Sequence, residues 1–267
     1  MTFSLAGRCA RTGMLGLVVS SSSPAVAARC AHVRAGVGAV ASQNVTDPRL
    51  GRQVLDLLQA GVPAPEAVAT VANAAPGRDY RQLTAVDAQG RTGVYSGAHT
   101  LGMHAVAHGA GAVAAGNLLA DQGVVAAMVR AFEERAAEHL GDRLVAALVA
   151  GLVAGGEAGP VRSAGLLLVD RVEWAVADLR VDWDDDPIAR LAELWALWQP
   201  QMDDYVTRAL DPAAAPGYGV PGDPHSISLS SRDSRASAEA LAHPPSPSER
   251  DIENAQAYLA QYHPQEQ

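Results

Sequence analysis

Apolar positions fall along the chain in two kinds of run: short, nearly continuous stretches and longer stretches with helical spacing. Residues 2–9 and 14–20 are of the first kind, and Arg11-Thr12-Gly13 between them reads as a turn, so the chain opens with a predicted β-hairpin. After a small polar stretch over 20–24, Gly36-Val37-Gly38-Ala39-Val40-Ala41-Ser42 reads as a third strand, with side chains small enough for burial on both faces. Asp47 and Pro48 then open a helix carrying Leu50, Val54, Leu57 and Leu58 at helical spacing, and Gly61 ends it. Pro63 and Pro65 start a second helix, with Ala67, Val68, Val71 and Ala72 on its apolar side and Pro76-Gly77 at its close.

Residues 83–87 and 92–96 flank Ala88-Gln89-Gly90-Arg91 as a hairpin, and 105–115 reads as one strand or a pair ending at Gly116-Asn117. Two helices are predicted next. The first covers 122–138, with Val125, Met128, Val129 and Phe132 on one face. The second covers 142–154, with Leu144, Leu148 and Leu152. Residues 163–170 and 174–182 form a closing hairpin, and a last helix starts near Pro187 with Ile188, Leu191, Leu194, Trp195 and Trp198. Strand runs thus alternate with helix pairs, the order of an α+β fold with sheets layered between helices. No Gly-x-Gly-x-x-Gly follows a strand, so no dinucleotide site is expected.

Composition sharpens this picture. Of 267 residues, 48% are hydrophobic and 18% charged, enough for a packed core. Aromatics are only 4% while alanines number 53, so that core is built from small side chains whose layers approach closely. After about Asp211, Pro, Ser, Gly and Ala dominate. Residues 1–210 are therefore read as one domain and 211–267 as a largely unstructured tail, with a possible helix over 249–262 capped by Ser248. The net charge of −9 argues against a nucleic-acid partner, which needs a concentrated basic face. No apolar run approaches the ~18 residues of a membrane helix. The six-residue run Met14 to Val19, though preceded by Arg8 and Arg11 and followed by Ala25-Val26-Ala27, falls short of a secretory h-region of ~7–15 residues. A cytoplasmic location is expected.

All 20 basic residues are arginine. The absence of lysine excludes a phosphate-loop lysine, a Schiff-base lysine and a lysine general base. Cys9 and Cys30 are too few for a disulfide scaffold and read as small core residues. His99, His104 and His108 have no acidic partner until Asp121, so no metal is expected, and no cofactor; His108 is read as pocket lining. The acidic run Asp182, Asp184, Asp185 and Asp186 suits a helix N-terminus before Pro187.

Thr2 carries the chemical suggestion. Removal of Met1 would leave a free α-amine beside its hydroxyl, with a pKa of ~7.7–8. Such an amine accepts the hydroxyl proton while the oxygen attacks a carbonyl carbon, so nucleophile and base occupy one residue. Three further stretches join it. They are Met1-Thr2-Phe3-Ser4-Leu5, Thr12-Gly13-Met14-Leu15-Gly16-Leu17-Val18-Val19-Ser20 and Ala35-Gly36-Val37-Gly38-Ala39-Val40-Ala41-Ser42-Gln43. With Val86-Asp87-Ala88-Gln89-Gly90-Arg91, Gly116-Asn117-Leu118-Leu119, Arg143 to Leu148, Gly155-Gly156 and Asp178 to Asp182, they resemble the bacterial domain-of-unknown-function family 1028. The resemblance covers about residues 1–210. It implies a place among the N-terminal-nucleophile hydrolases, a four-layer αββα sandwich and hydrolysis of amide-type C–N bonds through an acyl-enzyme. The chain departs from the family pattern at Glu157, where Gly-Gly-Asp is usual, at Arg162 before Ser163-Ala164, and at Asp184-Asp185-Asp186.

Candidate helpers follow from the needs of acyl transfer. Asn44 and Asn117 are placed as oxyanion donors. Ser20, Gln43 and Ser163, at strand ends, are placed to orient the nucleophile or substrate. Asp178 and Arg180 share one strand face, where Arg180 would hold a substrate carboxylate. The expected function is a small-molecule C–N hydrolase acting as a homodimer. Two alternatives stand beside it: an enamine or imine deaminase using the same pocket, and a non-catalytic binding or assembly protein.

Overall fold

The computed structural model describes residues 2–220, and the possible helix over 249–262 lies outside the described residues. The chain divides at Val206 and Thr207 into two units. The first begins with β1 (Thr2–Arg8), whose alternation sorts two environments. Phe3 and Leu5 point to one face and Thr2, Ser4 and Ala6 to the other, and both faces are buried. A strand covered on both sides explains why the sequence shows a continuous apolar run rather than strict alternation.

β1 pairs antiparallel with β2 (Leu15–Ser21) on one side and with β8 (Ala112–Asn117) on the other. β9 (Ser163–Val169) and β10 (Ala175–Val181) extend the sheet beyond β2, and β7 (Ala105–Gly109) extends it beyond β8. The six-stranded order is therefore β10-β9-β2-β1-β8-β7. The second sheet runs β3 (Ala31–Arg34), β4 (Gly38–Asn44), β5 (Arg81–Asp87) and β6 (Thr92–Ser96), again antiparallel throughout.

Three buried clusters define four layers. Phe3, Leu5, Val18 and Leu166 pack beneath α4 (Gly123–Glu134), α5 (Leu140–Val153) and α6 (Pro187–Trp198) through Met128, Phe132, Leu144, Leu148 and Leu191. Ala6, Leu17, Val19 and Val113 meet Ala39, Ala41 and Val86 between the sheets. Val40, Leu83 and Ala85 pack under α2 (Pro48–Gln59) and α3 (Ala64–Ala74), against Leu50, Val54, Val68 and Val71. The fold is the αββα arrangement expected from the sequence. Alanine and valine in the middle layer let the sheets lie close, within the ~10 Å usual for facing sheets. Close approach recurs outside: a Cβ on Gly93 of β6 would lie 2.2 Å from the Ala64 carbonyl oxygen.

The structure differs from the sequence reading in two places, and decides between the two readings of residues 105–115. The stretch taken as a connection before the third strand holds α1 (Val26–Cys30) and β3, so the predicted third strand is β4. Five residues are too few to display helical periodicity. Residues 105–115 are a pair, β7 and β8, turning at Ala110 and at Gly111 (φ 67°). An unanticipated α7 (Met202–Leu210) follows α6.

In the second unit, Arg208 donates to the Pro216 and Gly217 carbonyls and lies over the Tyr218 ring. No helix among the described residues is long and apolar enough to cross a membrane.

Candidate active site

Thr2 stands at the start of the strand flanked by β2 and β8, directly opposite Asn117 of β8. Its side chain shares the inter-sheet face with Ser4, and only 4% of the residue is exposed. The Thr2 hydroxyl donates to Ser21 Oγ at 3.5 Å. Ser21 Oγ also lies 2.9 Å from Ser23 Oγ and accepts from the Ser23 amide. The next amide, that of Ser22, donates to both oxygens of Glu157 at 3.2 and 3.1 Å.

Glu157 sits on the turn after α5, bridged to Leu119 and 5% exposed. Burial pushes its carboxyl up to about 7, offset in part by the charge of the N-terminal amine and by the bonds from Ser22. A carboxyl raised to about 7 is a group able to hold or pass a proton near neutral pH.

A second set of polar groups crosses the inter-sheet layer. Ser4 Oγ donates to Gln43 Oε1 at 2.7 Å. Gln43 Nε2 donates to Gln82 Oε1 at 2.8 Å and to the Ala115 carbonyl at 3.2 Å. Gln82 Nε2 donates to the Gly116 carbonyl and to Ser96 Oγ, both at 3.2 Å. Asn117 Nδ2 donates to Gln82 Oε1 at 3.0 Å. Ser4, Gln43, Gln82 and Asn117 are at most 1% exposed, so the ladder ties both sheets together in the interior next to Thr2.

The predicted site residues divide into three groups. Thr2, Gln43 and Asn117 come together, with Asn117 and Gln43 joined through Gln82. Ser20 and Ser163 lie close by but support the backbone. Ser20, opposite Phe3 in register, donates to the Ser163 carbonyl at 2.9 Å. Ser163 Oγ donates to the Ser23 carbonyl and accepts from the Val26 amide, pinning the segment that carries Ser23.

The remaining residues stand apart from Thr2. Asn44, in left-handed conformation (φ 69°), donates to the Tyr80 and His99 carbonyls and accepts from the Leu101 amide. Its amide therefore holds the 99–101 loop rather than pointing at Thr2. His108 Nδ1 lies 2.8 Å from Thr92 Oγ1, joining β7 to β6 at the sheet edges. Asp178 and Arg180 form a bidentate pair, both contacts 2.7 Å, on the edge strand β10. At ~4.8 Å per strand, three strand spacings put β10 about 14 Å from β1.

Gln82, Ser4, Ser21 and Glu157 were not among the sequence candidates for the site. Gln82 had no readable sign, since it follows Arg81 just ahead of the apolar run that begins at Leu83. No three His, Cys, Asp or Glu side chains among the described residues converge as a metal ion requires. A cavity of about 660 Å³ opens at the opposite end of the sandwich, lined by Thr12, Gly13, Arg34, Gly36, Asp170 and Arg171. β1 is seven residues long, so at ~3.3 Å per residue this cavity lies roughly 20 Å from Thr2.

A family described as "Family of unknown function (DUF1028)" matches residues 2–191. The chain belongs to the DUF1028 family. The crystal structure of a DUF1028 protein from Silicibacter pomeroyi is similar, with a TM-score of 0.69 and 30% sequence identity, covering 76% of this chain and 89% of that one. No curated protein matches the chain. The DUF1028 match begins at Thr2 and takes in every candidate residue named above.

Proposed function

We propose that the protein is an N-terminal-nucleophile hydrolase cleaving an amide-type C–N bond of a small molecule, with Thr2 as nucleophile and its own α-amine as base once Met1 is removed. The observation that carries this reading is the placement of Thr2. A hydroxyl-bearing residue at the N-terminal end of a central strand in an αββα sandwich lies between the sheets, bonded to Ser21 and directly opposite Asn117. In the first step the α-amine takes the Oγ1 proton as Oγ1 bonds to the carbonyl carbon. The amine then passes that proton to the leaving nitrogen as the C–N bond breaks, giving an ester on Thr2 and a free amine or ammonia. Water cleaves the ester, releases the acid and restores the hydroxyl.

Ser21 orients Oγ1 through the 3.5 Å contact, and Glu157 holds the Ser22 amide that fixes this strand end. The second reading, hydrolytic deamination of an enamine or imine, draws on Glu157. A buried carboxyl titrating at about 7 suits activation of water, with Thr2 only positioning it.

The test pairs intact-mass spectrometry with turnover. Loss of Met1, one acyl adduct on Thr2 from a β-lactone probe, and loss of amine release in a folded Thr2→Ala variant are expected. Ammonia release by Thr2→Ala at the wild-type rate refutes the nucleophile, and ammonia release without an adduct selects the deaminase.

A further inference from the structure

The buried ladder beside Thr2 fixes the polarity of one atom. Amide side chains can be turned end for end, so the orientation of each must be argued from its partners. The Ala115 and Gly116 carbonyls can only accept, so the atoms facing them are Gln43 Nε2 and Gln82 Nε2. Gln82 therefore presents Oε1 to its other neighbours, and Asn117 must offer it Nδ2. By elimination the remaining atom of Asn117 is the oxygen. Asn117 Oδ1 is fully buried, and no group among the described residues donates to it. An unpaired buried carbonyl is costly, and here it is held by a ladder that leaves no other orientation.

Its position gives it a use. Thr2 and Asn117 are directly opposed on neighbouring antiparallel strands with their side chains on the same face, where Cβ atoms lie ~4.5–5.5 Å apart. A carbonyl carbon bonded to Thr2 Oγ1 brings both its oxygen and its scissile nitrogen within reach of Asn117. An acceptor repels the developing oxyanion and attracts an N–H. The amide thus lies across Thr2 with its nitrogen toward Asn117 and its oxygen away from it.

Building on the hydrolase reading, we infer that Asn117 Oδ1 is a specificity-determining acceptor for the N–H of the scissile amide, so that the substrates are primary and secondary carboxamides. The sequence expectation gave Asn117 the opposite polarity, a donor to the oxyanion. In the structure one of its two Nδ2 N–H groups donates to Gln82, and Oδ1 is the atom left without a donor among the described residues.

Matched acetyl and butyryl p-nitroanilides and p-nitrophenyl esters test this, since the pairs differ in N–H against O at the scissile atom. The ratio of kcat/KM for anilide over ester is expected to fall at least tenfold in Asn117→Ser, one lost hydrogen bond being worth about that factor. Asn117→Asp keeps an acceptor there, and its ratio is expected to stay within about threefold of wild type, with thermal melting showing that both variants are folded. An unchanged ratio in Asn117→Ser, including a parallel fall of both substrates, overturns the inference, because Asn117 then acts through the ladder or the terminal amine. Failure of the wild-type ester to acylate Thr2 instead overturns the hydrolase reading itself, so the two failures are distinguishable.

Discussion

Replacing Glu157 by glutamine tests the electrostatics around Thr2 through stability alone. The substitution keeps an oxygen to accept from the Ser22 amide and keeps the shape, but removes the charge. In the folded chain burial raises the carboxyl from its ordinary 4.5 to about 7. Between these values the native state binds a proton that the unfolded chain has released. Stability therefore falls as pH rises through this window and levels off above it. The gap is about 2.5 pH units, and at about 1.36 kcal/mol per unit the ionised carboxylate costs the fold about 3 kcal/mol at pH 8. For a domain of this size that corresponds to a melting shift of about 6–12 °C.

Urea unfolding of both proteins at pH 4.5, 6 and 8 measures the effect. The expected result is a variant near wild type at pH 4.5 and about 3 kcal/mol more stable at pH 8. Parallel pH profiles for the two proteins would mean that Glu157 is ordinarily solvated in the native state, and the electrostatic account of the strand end would be wrong.

Two further substitutions probe the frame. Asp47 caps α2, accepting from the Arg49 amide and pairing with the Arg49 guanidinium, which together hold its carboxyl down at about 2. Asp47→Ala is expected to cost about 1 kcal/mol at pH 7. The difference should vanish as pH falls from 4 to 2, because this contribution exists only while the native carboxylate is ionised; urea titrations across that range check it. Gly93→Ala sets a methyl 2.2 Å from the Ala64 backbone oxygen, an atom that cannot swing away. The expected loss is about 2 kcal/mol or more by chemical denaturation, whereas wild-type stability would show that α3 slides freely over β6.

Elements long enough to repeat a period were legible in the sequence. Leu50, Val54 and Leu58 announced α2, and the turn Arg11-Thr12-Gly13 announced the β1–β2 hairpin. α1 was hidden because five residues give no period. Asp178 and Arg180 do share a strand, as their spacing required, but the order β10-β9-β2-β1 that separates them from Thr2 is a long-range fact with no local trace. The same holds for Asn117. Its residue type and its place at a strand end were readable. Its polarity depends on Gln82 of the other sheet, 35 positions earlier, which is itself turned by the Gly116 carbonyl. Glu157 could be seen as a departure from the family pattern, but its raised carboxyl arises from burial, which the bonds from Ser22, far away in the chain, only partly offset.

The placing of Thr2 between two strands bears on the order in which the chain closes. One of those neighbours, β8, is translated more than a hundred residues after β1. Until it arrives, the edge of β1 that pairs with Ala112 to Asn117 has no strand beside it, and the backbone groups there must be met by water or by another segment. The opposition of Thr2 and Asn117 is thus among the later features of the sheet to form during synthesis.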